Sequence, residues 1–218
     1  MNRIILIGIL SLFCGNIFAQ KFFPLMSNQA EKELYKIDIQ FDTITNNEQM
    51  ILSDTMFNNR IDSFRNAWYS KHLRAMREPV IYSDKTNKEV IRFTWLRTFH
   101  EPIVIRIVNN NGFYSIYLKK TNGQGGYKTG ILVVAEKNHL DSEKWNDIIK
   151  KLNESGFWKM PTNVPDFGLD GAQWVLEAKI GGKYHVVDRW AGYESEIGQF
   201  CLDLLKMTNL KIEKNKIY

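Results

Sequence analysis

Six residues in the C-terminal part of the chain have the types and spacing that could do chemistry: Asp170, Trp174, Glu177, Tyr184, Arg189 and Trp190. They flank Gly181-Gly182, a pair suited to the two central positions of a tight hairpin turn. With the glycines there, Ile180 faces Lys183, Ala178 faces His185, Glu177 faces Val186, Trp174 faces Arg189 and Gln173 faces Trp190. On one face, Trp174 and Arg189 are then placed for a cation–π stack. On the other, Glu177 lies diagonal to Tyr184 and Asp188. The simpler reading is a cross-strand cluster that pins register and closes the core. The sharper reading is a shallow ligand site with an aromatic wall, suited to a sugar or a peptide. A third use of the same region takes a pair among Asp170, Glu177 and Asp188, with Asp170 and Glu177 foremost, as the carboxylates of a hydrolase.

Other chemistries lack their spacing. The four histidines, His72, His100, His139 and His185, fall in four different elements, and His100-Glu101 is followed by Pro102, which forbids a helical metal-ligand pair. Asn122-Gly123-Gln124-Gly125-Gly126 has the glycine content of a phosphate loop, but a strand follows it where a helix N-terminus is needed. Asp166-Phe167-Gly168 matches the kinase metal-binding triplet by letter alone, and no G-x-S-x-G nucleophile elbow is present. Neither a metal site nor a cofactor is expected.

The elements that position the six residues follow from periodicity. Ile37, Ile39 and Phe41 alternate as in a half-buried strand. Phe57, Ile61, Phe64 and Trp68 recur at helical spacing, with Tyr69, Leu73 and Met76 widening the stripe. This predicts a helix of core-facing aromatics ending before Pro79. Strands are expected at Val80–Ser83, Glu89–Arg97, 103–108, Phe113–Lys119 and Thr129–Ala135, with Asn109 to Gly112 as a hairpin turn. Asp141 or Ser142 caps a helix that Gly156 stops. After the second hairpin, a last helix runs from about Glu194 to Met207, and Lys211 to Lys216 form a charged tail. The fold class expected is α+β: an antiparallel sheet, a meander plus a C-terminal hairpin, packed by about three helices.

Trp145 to Trp158, Asp170-Gly171-x-x-Trp174-x-x-Glu177, Tyr184 to Trp190 and the closing helix together resemble a C-terminal region of uncharacterised secreted bacterial proteins. The resemblance covers roughly residues 129–210 and implies no activity.

The N-terminus carries its own signature. Asn2-Arg3, an apolar stretch from Ile4 to Phe13, and Ile17-Phe18-Ala19 before Gln20 fit a cleaved signal peptide over residues 1–19. Cys14 is no lipobox cysteine, because Phe13 is too bulky before it. The 218 residues hold 29 Lys+Arg against 24 Asp+Glu; cleavage removes Arg3 and leaves a net +4. It also removes Cys14, so Cys201 becomes the sole thiol and no internal disulfide can form. The charge is dispersed in both signs, which argues against a nucleic-acid partner.

Residues 20–218 are expected to form one domain, with 141–210 as a possible subdomain. The function expected is that of an exported, periplasmic or secreted, non-catalytic binding or envelope-associated protein. Its partner would be an envelope protein or glycan, and no integral membrane span would remain after cleavage. The alternatives are the carboxylate-dependent hydrolase acting on envelope polymers and a periplasmic toxin-immunity protein.

Overall fold

The computed structural model describes residues 21–24, 54–164, 168 and 170–218, with side chains of the first helix described from Phe64 onward. The expected signal peptide and the strand expected around Ile37 lie outside the described residues. Among the described residues there are three α-helices, α1 (Asp54–Ala75), α2 (Ser142–Glu154) and α3 (Gly198–Lys206). Six strands accompany them: β1 (Glu89–Arg97), β2 (Ile103–Asn110), β3 (Phe113–Thr121), β4 (Leu132–Leu140), β5 (Ala172–Ile180) and β6 (Lys183–Trp190). The strands form one antiparallel sheet in the order β4-β3-β2-β1-β5-β6. This is the α+β architecture of a meander plus a C-terminal hairpin, the hairpin joining at β1.

Alternation along the strands builds a core on each face. Ile91, Phe93 and Trp95 of β1, Ile105 of β2, and Trp174 and Leu176 of β5 pack against Trp145, Ile148 and Leu152 of α2 and Phe200 and Leu204 of α3. Leu96, Val104, Val175 and Val186 point the other way, onto Tyr69, Leu73 and Met76 of α1 and onto Phe22 and Phe23. Because both faces are covered, β1 is buried along nearly its whole length. No helix among the described residues is long and apolar enough to cross a membrane.

Local chemistry sets the boundaries. Asp141 accepts from the Lys144 amide at 2.8 Å and starts α2, and Gly156, at φ 77°, turns the chain out of it. α1 ends in a Schellman motif: Glu78 N–H donates to Leu73 O and Arg77 N–H to Arg74 O, with Arg77 left-handed at φ 52°. That turn carries Glu78 inward.

Three expectations are corrected. Residues 80–83 form a turn rather than a strand, lying on the sheet face where Ile81 packs on Val90 and Val108. β4 begins at Leu132 instead of Thr129, because the preceding turn extends through Gly130 (φ 65°) and the Asn122 side chain caps Ile131 N–H. α3 starts at Gly198, after a short 3-10 turn over Gly192–Glu194. The charged tail is also more than solvated chain: Ile212, Ile217 and Tyr218 pack on the core, and Tyr218 O accepts from Trp174 Nε1 at 2.8 Å.

Candidate functional site

The hairpin register is the one expected from Gly181-Gly182, with Trp174 opposite Arg189, Glu177 opposite Val186 and Gln173 opposite Trp190. The side chains nevertheless part company. Trp174 is fully buried in the core under α3, its ring 5.0 Å from Trp95 and 5.2 Å from Phe93. Arg189 does not stack on it. Its guanidinium donates instead to the carbonyls of Pro161 and Thr162 and to Glu196. Asp170 is exposed just before β5.

Glu177 is completely buried on the opposite face. It accepts from Arg92 Nε at 2.7 Å and from Tyr184 OH at 2.8 Å. Burial pushes its carboxyl above the usual range against the pull of Arg92. The five strand steps from Ala172 to Glu177 alone span about 16 Å, whereas paired glycosidase carboxylates stand about 5–9.5 Å apart. Asp170 and Glu177 therefore do not form a catalytic pair, and a sealed Glu177 reaches no substrate.

Around Glu177 lies a polar network under the end of α1 and the turn that follows it. Glu78 accepts from Arg106 Nε and Lys119 Nζ, both at 2.8 Å, and lies 3.6 Å from Arg92. Burial alone would raise the Glu78 carboxyl, but Arg106, Arg92 and Lys119 together hold it below its ordinary value. The role is structural: charges carried inside the fold are held only when paired. The signal in the sequence was an arginine inside each of two apolar strands, Arg92 and Arg106.

An open cleft of about 430 Å³ does exist, at the edge of this α1-covered face. Phe64, Trp68 and Lys71 of α1 form one wall; Tyr127 and Gly126 form the other, with Trp190 of β6 at one end. Phe64 is 67% and Tyr127 56% exposed, and Phe99 extends the aromatic surface by stacking on Tyr127 at 6.1 Å. The walls are tied together. Trp68 Nε1 donates to Gly125 O at 2.7 Å and Lys71 Nζ to Tyr127 O at 3.1 Å. Trp190 is held by close backbone approach, since a Cβ on Gly168 or Gly171 would overlap its indole. Trp190 also lines an adjoining polar recess of about 90 Å³, with Arg65, Asn163, Gln173 and Asp188.

Of the six residues singled out in the sequence, Trp190 alone lines this cleft. Phe64 and Trp68, both expected to face the core, part company: Phe64 is exposed, a correction, whereas Trp68 packs on the cluster of Tyr69 and Leu73 and turns only part of its surface to the cleft. At about 100° per residue, Phe64 sits some 140° round the helix from Tyr69, too far to share its buried face. A stripe wider than one helix face was the available signal. Tyr127 and Phe99 sit in loops, which carry no periodicity to read.

The remaining candidates for chemistry are dispersed. His72 is buried, His100 pairs with Tyr218 OH at 2.7 Å, His185 with Met160 O at 2.9 Å, and His139 is exposed. Cys201 is buried on the inward side of α3, and burial pushes its thiol well up, away from the reactive thiolate. The ionisable groups lining the cleft are Lys71 and Tyr127. It offers aromatic faces rather than an acid–base pair.

No family model and no curated protein matches this chain.

Proposed function

We propose that this chain is an exported, non-catalytic binding protein that takes its ligand on the aromatic cleft between α1, the 122–131 loop and the end of β6. The observation that carries the reading is the cleft itself: Phe64, Trp68, Tyr127 and Trp190 converge with their faces partly open. Exposed large aromatics cost solvation free energy in a monomer and cluster where a partner covers them. Their hydrogen-bonded supports hold them in place before binding, which lowers the ordering cost of association. The signal-peptide pattern ending at Ala19 supports export to the periplasm or beyond, where the partner is an envelope protein or glycan. The resemblance of residues 129–210 to secreted bacterial proteins supports the same location.

The test has two arms. Mass spectrometry of exported material should find Gln20 as the first residue; an intact Met1 in that material refutes export. For binding, wild-type protein and the double variant Phe64→Ala/Tyr127→Ala are titrated with fractionated envelope extract while tryptophan emission is followed. Saturable quenching that the double variant loses supports the cleft. Equal responses from both proteins would remove it.

A further inference from the structure

The cleft and the recess beside it differ in chemistry, and that difference selects a ligand class. The cleft wall is aromatic. The recess beyond Trp190 is polar, and it holds a group that the fold leaves unanswered. Gln173 is 93% buried, and its Oε1 is shut away from bulk water without a hydrogen-bond partner in the protein. A buried carbonyl oxygen of this kind sacrifices its hydration and gains nothing in return unless a donor arrives from outside.

We infer that the ligand is a neutral saccharide whose pyranose faces stack on the aromatic wall while one substituent enters the recess and donates to Gln173 Oε1. This rests on the cleft reading above and specifies it. The faces of a sugar ring are apolar C–H surfaces bordered by hydroxyls, the combination presented by Trp190 and Tyr127 next to Gln173. Neutrality follows from the recess, where Arg65 and Asp188 bring opposite charges and select neither sign. A volume of about 90 Å³ admits one hydroxymethyl or acetamido group and no second ring.

A peptide fits less well. A peptide that binds by adding a strand needs a free strand edge. The neighbouring edge of β6 is occupied: Asp188 N–H donates to Thr162 O at 2.7 Å, and Arg189 holds the carbonyls of Pro161 and Thr162. In the cleft wall, Gly125 O and Tyr127 O already accept from Trp68 and Lys71.

The full chain is titrated with two neutral probes, a β-1,4 tetramer of N-acetylglucosamine and one of glucose, and with an uncharged peptide as control. Calorimetry and tryptophan emission are the readouts, on wild-type, Tyr127→Ala and Gln173→Met proteins. Tyr127 is exposed, and Gln173 Oε1 has no partner to lose, so neither variant should melt lower than wild type. The result expected is a blue shift with at least one saccharide, weakened about tenfold in each variant. A larger Gln173→Met effect for the acetamido sugar assigns that group to the recess; a larger effect for the glucose tetramer assigns a hydroxyl. Saccharide binding indifferent to both substitutions overturns the inference. If only the peptide binds, and Tyr127→Ala abolishes that, the saccharide is wrong and the cleft survives. If no probe responds, the saccharide is refuted, and the cleft stands or falls on the envelope-extract titration.

Discussion

Arg92 and Glu177 meet where no water reaches them, and Glu78 stands 3.6 Å from the same guanidinium. Removing Glu177 takes away the shortest partner of a buried guanidinium and leaves it the longer contact to Glu78, a loss bounded by the about 3–5 kcal/mol of a fully broken buried pair. Glu177→Leu should therefore destabilise the protein by up to that much in a urea titration, whereas Arg92→Met/Glu177→Leu should recover much of the loss. A double variant no better than the single one would show that Glu78 depends on Arg92 as much as Glu177 does. His72 lies on the same face of the sheet, and burial, helped by Lys71, lowers its pKa from 6.5 to about 4. Between those values the unfolded chain binds the proton and the fold does not. The His72 contribution is therefore complete above about pH 6.5 and is lost progressively as pH falls to about 4, some 3 kcal/mol in all. In His72→Gln this loss should be missing, so urea midpoints of the two proteins should converge as pH falls from 7 to 4. Parallel midpoint curves would show that His72 is not held neutral.

Elements take their ends from single residues here. Asp141 answers an orphan amide at the start of α2, and Gly156 adopts the left-handed conformation that stops it. Asp141→Ala and Gly156→Ala are each expected to cost about 1 kcal/mol. Both lie outside the cleft, so tryptophan quenching by ligand should be unchanged; a loss of binding would tie α2 to the site. These boundaries were legible because a cap or a stop is a local hydrogen bond or a local φ angle. Hairpin register was legible for the same reason, since Gly181 and Gly182, at φ 55° and 78°, leave the flanking residues one way to pair. The alternation of residues 80–83 suits a strand, but Ile81 instead packs on Val90 and Val108, a contact that local pattern does not encode.

At the scale of the whole molecule, one sheet carries helices on both faces, and β5 pairs with β1 over eight residues from Ala172 to Lys179. Residues 141–210 thus share their sheet with the preceding meander. Urea unfolding followed by far-ultraviolet circular dichroism and by tryptophan emission should give coincident transitions, because Trp68 and Trp174 report from opposite faces of that sheet. A separate early transition in either signal would identify a subdomain.

The amino-acid sequence by itself determined the three helices and six strands of the described residues, the capping of α2, the hairpin register and the antiparallel α+β class, though it also suggested a strand at 80–83 where the chain turns. These depend on periodicity and on interactions between residues close in the chain. Tertiary structure decided which chemistry-bearing side chains meet water. It buried Trp174 and Glu177 on opposite faces, drew Arg189 away from its cross-strand partner, and left Phe64 and Trp68 facing a loop far along the chain. The reason is physical: burial depends on what the rest of the chain brings to each face, and a pattern of alternation names a face without naming its cover.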